Sequence, residues 1–211
     1  NIQLKELVKQ FDSVFLGLGL GAVNNLKVSG DDLENVSDAV QFISGLRQAD
    51  DLTSLRVGRE VLVIGGGMTA VDAAVQSKLL GAETVTIAYR RSKDKMGAST
   101  YEQELATSNG VVIRENLKPK TIIGNGKVSS VEFERTKQTS EGLTSTGEAI
   151  MITADQVFVA IGQALSVNEE RLEFAGNKIN VSGSGRTSCN GVWAGGDCVS
   201  GGEDLTVTAV A

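Results

Sequence analysis

The chain of 211 residues contains no histidine, two cysteines and one proline. Histidine is the commonest general base and the commonest metal ligand, so its absence removes two frequent kinds of site. Cys189 and Cys198 are not in a C-x-x-C arrangement, and no cluster of cysteines or spaced carboxylates suggests a metal or iron–sulfur centre. We therefore expect no metal site, no catalytic side chain and no hydrolytic chemistry, and a reaction carried by a bound cofactor fits better.

Long apolar runs and an excess of basic residues are also missing. No stretch approaches the length of a membrane span, and no signal peptide is visible. The formal net charge of −6 argues against nucleic acid and anionic membranes as partners. So few cysteines fit a reducing compartment, so the expected location is the cytoplasm.

What the chain does contain is a short apolar run followed by three glycines. Residues 61–64, Val-Leu-Val-Ile, predict a buried parallel strand. A helix is predicted over 69–80, with Gly81 as its stop, and a second strand over 84–89. Gly65 to Ala70 form a G-x-G-x-x-A fingerprint between strand and helix, which seats a dinucleotide pyrophosphate on the helix N-terminus. The residues expected to bind it are Gly65, Gly66, Gly67, Met68, Thr69 and Ala70.

Two arginines, Arg90 and Arg91, follow the second predicted strand. An acidic residue at this place binds the ribose 2′-hydroxyl of NAD, whereas an arginine accommodates the 2′-phosphate of NADP. Lys93 and Lys95 add local positive charge. We therefore expect NADP(H) at this position, with NAD as the alternative. A solvated basic loop without a ligand is the other interpretation.

The remaining pattern places helices and strands around this unit. Residues 36–47 predict a helix capped by Asn35 or Ser37, and a second helix is predicted to begin at Ser99 or Thr100. Strands are predicted over 111–114, 122–126, 127–135, 149–152 and 154–162, with an exposed polar loop over 136–147. The expected fold is α/β: a Rossmann-like three-layer nucleotide-binding domain with a central parallel sheet and an added antiparallel β-meander.

Two similar segments bracket the nucleotide-binding unit. Residues 14–19 and 157–162 are both apolar strands that end on glycine, as expected where a chain leaves one domain for an inserted one and returns. The expected division is residues 1–30, residues 31–162 as the NAD(P)H-binding domain, and residues 163–211.

Five ordered motifs resemble the flavoprotein reductases with two dinucleotide-binding domains, of the pyridine nucleotide-disulfide oxidoreductase-like superfamily. Within that group they look most like the small subunit of glutamate synthase and the flavin module of dihydropyrimidine dehydrogenase. The motifs are Phe-Asp-Ser-Val-Phe-Leu at 11–16, Gly-Gly-Gly-Met-Thr-Ala-Val-Asp at 65–72, the stretch 81–91 ending in Tyr-Arg-Arg, Ala-Ile-Gly-Gln at 160–163, and Val-Trp-Ala-Gly-Gly-Asp at 192–197.

The resemblance implies roles for residues outside the fingerprint. It places Ala160, Ile161 and Gly162 near the nicotinamide end of NAD(P)H, and Gly196 and Asp197 beside FAD, with Asp197 facing the ribitol. It also implies that the FAD fingerprint lies before Asn1, so that FAD is held only in the full-length parent. Residues 1–30 and 163–211 would then be remnants of the FAD domain.

The partners implied are the missing FAD-domain segments and an electron-accepting subunit or domain. The chain alone is expected to be inactive, with residues 14–21 and 192–211 poorly packed or paired with each other, and a helix beginning within 206–211. The alternative is a non-catalytic module that binds NADP(H) or docks a partner subunit.

Overall fold

A computed structural model describes residues 2–167 and 169–200, so the helix predicted within 206–211 lies outside the described residues. In the described ranges, helices α1 to α4 span Leu4–Gln10, Ala39–Gln48, Met68–Leu79 and Thr100–Ser108. Strands β1 to β14 span Val14–Leu16, Ala22–Val23, Val36–Asp38, Glu60–Gly65, Thr84–Ala88, Val112–Arg114, Leu117–Asn125, Lys127–Thr139, Gly142–Thr153, Gln156–Ala160, Gln163–Ala164, Phe174–Ala175, Lys178–Ile179 and Val192–Ala194. None of the helices in the described ranges has the length and apolar character needed to cross a membrane.

The chain forms two compact units, a larger one made of residues 25–162 and a smaller one made of the segments on either side. The larger unit is built on a five-stranded parallel sheet in the order β3-β10-β4-β5-β6. Both faces of this sheet are covered, as parallel sheets require. Val61 and Val63 of β4 pack in a core with α2, α3 and α4, while Leu62 and Ile64 pack with the antiparallel sheet β7-β8-β9. The predicted α/β fold, with its central parallel sheet and added meander, is confirmed.

The meander is longer than the sequence predicts. Strand β8 continues to Thr139 and β9 begins at Gly142, so the predicted polar loop over 136–147 is wrong. Polar residues form strands here because an antiparallel sheet can expose one face to water. The exposed side chains also pair across the strands, as in the ion pair between Arg135 and Glu148 at 2.7 Å. Strand β7 likewise begins at Leu117, before the predicted start at 122.

Helix α2 begins later than predicted and has a different cap. Asp38 is its N-cap, because its carboxylate accepts hydrogen bonds from the backbone N–H groups of Val40 and Gln41 at 2.6 and 3.3 Å. The predicted caps, Asn35 and Ser37, are wrong, since residues 36–38 form strand β3 beside β10. For helix α4, Ser99 is the N-cap and forms a capping box with Glu102. Of the two predicted starts, Ser99 and Thr100, the first is therefore the cap.

The smaller unit contains a two-stranded parallel sheet in which β1 pairs with β14. The alternative in which the segments at 14–21 and 192–211 pair with each other is therefore confirmed for their described strands. Val14, Leu16, Val192 and Ala194 pack on one face in a small core that includes Leu4, Leu172, Ile179 and Cys198. Cys198 is buried, its thiol donates to the carbonyl of Gly195 at 3.1 Å, and neither cysteine forms a disulfide within the described residues.

The layer between α2 and the parallel sheet depends on Phe158. This side chain is 1% exposed, and its ring stacks on Phe42 with centroids 4.3 Å apart. We expect Phe158→Ala to lower the free energy of unfolding by about 3–5 kcal/mol, because it leaves a cavity in a packed core. Denaturant unfolding followed by circular dichroism measures the loss. Tyr101→Ala is the matched control, since Tyr101 is 74% exposed, and equal losses in the two variants would contradict the packing described.

Candidate dinucleotide-binding site

Three parallel strands deliver the predicted site residues to one edge of the sheet. Strands β4, β5 and β10 run in the same direction and end at Gly65, Ala88 and Ala160. In the register of the sheet, Ala160 lies opposite Gly65, and Ala88 lies opposite Ile64. The carboxyl edge of an open parallel sheet is where α/β proteins bind ligands. The glycine turn, the two arginines and residues 160–162 therefore follow neighbouring strand ends.

The three glycines of the turn differ in what surrounds them. Gly65 has a φ of +153°, and a Cβ there would lie 2.2 Å from the carbonyl oxygen of Ala160. A Cβ on Gly66 would lie 2.5 Å from the ring of Tyr89. At Gly67, in contrast, a Cβ would meet no atom of the described residues within 4 Å. The packing of the protein therefore accounts for the first two glycines, while the third leaves open space at the start of helix α3.

Helix α3 begins without a side chain to cap it. Its N-cap is Gly67, whose carbonyl accepts the N–H groups of Ala70 and Val71 at 3.0 and 3.2 Å. Within the described residues, no acceptor bonds the N–H groups of Met68 and Thr69. Free N–H groups at the positive end of a helix dipole form an anion-binding position. Ala70 is fully buried in the core under the helix, which lets the helix start close to the sheet.

The stretch that carries the arginines, residues 90–98, is called the basic segment here, and its backbone is held from two sides. The Thr136 hydroxyl donates to the carbonyl of Arg90 at 2.7 Å, and the N–H of Asn116 donates to the carbonyl of Arg91 at 3.0 Å. The Glu115 carboxylate accepts the N–H of Lys93 at 2.6 Å. These contacts come from strand β8 of the meander and from the two residues between β6 and β7, and sequence reasoning did not predict them.

The other side of the basic segment is tied to the glycine turn. The N–H of Ala98 donates to the carbonyl of Gly66 at 3.0 Å. The hydroxyl of Tyr89 donates to the carbonyl of Lys95 at 2.6 Å. The basic segment and the turn are therefore parts of one hydrogen-bonded assembly, with their backbones positioned before any ligand binds. No signal in the sequence indicates the bond between Ala98 and Gly66, because it joins backbone atoms far apart in the chain.

Arg90 and Arg91 form no ion pair with any carboxylate in the described part of the chain. Both side chains are exposed. The ion pairs found among the described residues are Arg59–Glu83, Lys95–Asp94, Lys120–Glu132 and Arg135–Glu148. Since neither arginine takes part in them, the planar forks of donors at this edge are available to a phosphate.

The titratable side chains of the described residues include one of note near the turn, Asp72. In the residues that the structure describes, no group of three or more cysteine, aspartate or glutamate side chains could hold a metal ion. Asp72 lies one turn into α3, and desolvation raises the pKa of its carboxyl; Arg47 opposes this shift and Glu102 adds to it. Because folding raises this pKa, ionisation of Asp72 opposes folding as the pH rises through its ordinary range.

The predicted nicotinamide and flavin residues lie in separate units. Ala160 ends β10 beside the glycine turn, Ile161 is 37% exposed and Gly162 has a φ of +99°. Gly196 and Asp197 belong to the smaller unit, where Gly196 has a φ of +75° and opens a 3-10 turn. Asp197 is exposed. The structure thus brings residues 65–70, the arginines and 160–162 together in the larger unit, and it gives no role to the Gly196–Asp197 pair.

Residues 2–211 match the family described as pyridine nucleotide-disulphide oxidoreductase. The chain belongs to this family. Solved structures similar to this one include the thioredoxin reductase of T. acidophilum, with a TM-score of 0.73 over 94% of this chain and 61% of that one. At 23% identity this likeness shows the fold alone.

Curated relatives in this group are larger proteins. The glutamate synthase [NADPH] small chain of Escherichia coli (strain K12) is 32% identical over 238 residues, which cover 100% of this chain and 50% of that protein. The NADP(+)-dependent formate dehydrogenase subunit beta of Moorella thermoacetica is 30% identical, over 100% of this chain and 31% of that subunit. The chain therefore spans half or less of the length of these relatives.

Proposed function

We propose that this chain is the NADPH-binding part of an FAD-dependent oxidoreductase, in which hydride passes from NADPH to FAD and electrons pass on to a partner acceptor. The proposal places it beside the glutamate synthase small chain, whose name includes NADPH. The parent enzyme would hold FAD in segments beyond this chain together with Gly196 and Asp197. The substrate or protein that receives the electrons belongs to the parent as a whole.

The observation that carries the proposal is the pairing of two anion-binding features at one sheet edge. Within the described residues the N–H groups of Met68 and Thr69 have no acceptor, and a Cβ on the adjoining Gly67 would enter open space. Arg90 and Arg91 follow the neighbouring strand with no carboxylate partner within the described residues. NADPH carries two anionic groups that match these two features: a pyrophosphate for the N–H groups and a 2′-phosphate for the arginines. The residues present therefore fit NADPH, and the second feature distinguishes it from NADH.

The work of these residues is binding and alignment. The backbone of Gly65 to Thr69 would hold the pyrophosphate, and the arginines would hold the 2′-phosphate. Ala160, Ile161 and Gly162 would line the nicotinamide end, beside the turn. Alignment of two reacting rings needs no general base, which agrees with a chain that has no histidine.

The same proposal assigns the parts of the chain. Residues 31–162 would be the NAD(P)H-binding domain, and residues 1–30 and 163–211 would belong to the FAD domain of the parent. The smaller unit supports this assignment. Its parallel sheet has only two strands, whereas parallel sheets are usually larger and covered on both faces, so these two strands fit as part of a larger sheet in the parent.

Calorimetric titration of the 211-residue chain with NADPH and with NADH tests the nucleotide part of the proposal. We expect both to bind with one site and NADPH to bind more tightly, because only NADPH has a phosphate for the unpaired arginines. A chain that binds neither dinucleotide would contradict the proposed function. Equal affinities would contradict the assignment of Arg90 and Arg91.

The purified chain is expected to be colourless and to take up no FAD. The strand–glycine–helix unit of β4 and α3 is assigned to NADPH, and Gly196 and Asp197 alone offer too few contacts to offset the cost of ordering a flavin. An absorbance scan across the flavin bands checks this, with added FAD and gel filtration as the reconstitution step. Recovery of a stoichiometric yellow protein would show that the chain holds a complete FAD site.

A further inference from the structure

Tyr89 connects the two anion-binding features of the candidate site. It directly follows strand β5, and its side chain is 8% exposed. Its ring lies against Gly66, where a Cβ would come within 2.6 Å of two ring atoms. The middle glycine of the turn is thus explained by this ring, and replacement of either partner would disturb the other.

The hydroxyl of Tyr89 uses both of its hydrogen-bonding functions on the basic segment. It donates to the carbonyl of Lys95 at 2.6 Å, and it accepts from Nε of Arg91 at 3.1 Å. The directions are fixed, because a carbonyl oxygen can only accept and a guanidinium can only donate. One buried side chain therefore holds an arginine side chain and the turn that carries the lysines.

The bond to Nε orients the guanidinium of Arg91 without using its terminal nitrogens. The guanidinium carbon lies 5.8 Å from the centroid of the Tyr89 ring. Arg91 belongs to none of the ion pairs in the described residues. Its terminal N–H groups are therefore held in a defined direction and remain free for a ligand, which lowers the entropy lost when a phosphate binds.

We propose that Tyr89 is a positioning residue for dinucleotide specificity, which holds Arg91 and the Lys93–Lys95 turn in place for the 2′-phosphate of NADPH. The inference rests on the proposed function, since it requires NADPH at this site. It adds a residue that contacts no part of the nucleotide and acts through its two hydrogen-bonded neighbours. Loss of the Tyr89 hydroxyl should therefore weaken the binding of NADPH and not of NADH. The pyrophosphate position at Met68 and Thr69 depends on Tyr89 only through its ring, which packs against Gly66.

The test is Tyr89→Phe, titrated with NADPH and NADH by calorimetry. Phenylalanine keeps the ring against Gly66 and removes only the hydroxyl. We expect the Kd for NADPH to rise roughly threefold to tenfold, the range of one net hydrogen bond, and the Kd for NADH to stay unchanged. Equal losses for both dinucleotides, or no loss for NADPH, would overturn the proposal. A wild-type chain that binds neither dinucleotide would instead show that the proposed function fails, and the positioning role with it.

A second variant, Arg91→Lys, leaves the buried ring untouched and so tests the idea even where Tyr89→Phe fails to fold. Lysine keeps the positive charge but lacks the Nε–H of a planar fork that the Tyr89 hydroxyl can orient. We expect it to lose preference for NADPH to a similar degree, and in the double variant Tyr89→Phe/Arg91→Lys the two losses should not add. Full retention of the NADPH preference in Arg91→Lys, or additive losses in the double variant, would contradict a role for Tyr89 through Arg91.

Discussion

Gly67→Val is expected to abolish dinucleotide binding while the chain stays folded. The backbone at Gly67 has a φ of −99° and a ψ of −178°, an extended conformation that valine adopts readily. A Cβ at this position meets no protein atom within 4 Å, so the cost to stability is limited to about 1 kcal/mol for a poorer N-cap. The new side chain would occupy the open space at the start of α3, where the pyrophosphate is proposed to bind.

Matched glycine variants make this result specific. Gly183→Val also places valine where a Cβ meets nothing within 4 Å, but in the smaller unit, and should bind NADPH like the wild type. Gly65→Val should reduce folding itself, since its Cβ would lie 2.2 Å from a backbone oxygen. Calorimetry reports binding and thermal melting reports folding. Normal NADPH binding by a folded Gly67→Val chain would mean that the fingerprint is only a structural turn.

The double variant Arg90→Ala/Arg91→Ala is expected to bind NADPH roughly tenfold to a hundredfold more weakly, with little change for NADH. A charge-assisted hydrogen bond to phosphate contributes about 1.5–3 kcal/mol, which corresponds to that range of affinity. Because both arginines are exposed and their anchoring bonds to Thr136 and Asn116 involve backbone carbonyls, alanine should leave the fold intact.

A charge-matched control separates a specific contact from the general field of the protein. Lys9→Ala/Lys127→Ala removes two exposed positive charges outside the basic segment, and we expect it to change NADPH affinity only slightly. The comparison is made by calorimetry at two salt concentrations, since screening weakens a diffuse effect most. Unchanged NADPH affinity in the arginine variant, or equal losses in both pairs, would contradict a 2′-phosphate site at Arg90 and Arg91.

The parts of the fold that could be predicted are those in which neighbouring residues carry the whole signal. The strand predicted over 61–64 is β4, the helix predicted over 69–80 is α3, and the strand predicted over 84–89 is β5, each within a few residues. Apolar runs and glycine stops act locally, so a window of a dozen residues contains enough information.

Elements set by backbone pairing rather than by an apolar pattern were harder to predict. The 136–147 stretch is polar and lacks an apolar alternation, yet its residues extend two β-strands, because β8 and β9 pair along their length. Asp38 is the cap of α2 in place of the predicted residues, because residues 36–38 pair with β10 as a strand of the sheet. In both cases backbone pairing decided the structure, and the side chains of the segment alone did not indicate it.

The candidate site divides in the same way. The glycine turn and the arginine pair could be recognised from their order along the chain. The reason for Gly66 and the anchoring of the basic segment by Thr136 and Glu115 could not be predicted, because these contacts join residues far apart in the sequence. The two hydrogen bonds of Tyr89 join near neighbours in the chain, but they depend on the fold of the basic segment, which no local pattern indicates.

A crystal structure of the chain grown with NADP+ would test the central claim most directly. The account predicts density for the pyrophosphate at the N–H groups of Met68 and Thr69 beside Gly67, and density for the 2′-phosphate against Arg90 and Arg91. Density for the nucleotide elsewhere on the chain, or a 2′-phosphate that points into solvent away from both arginines, would contradict it.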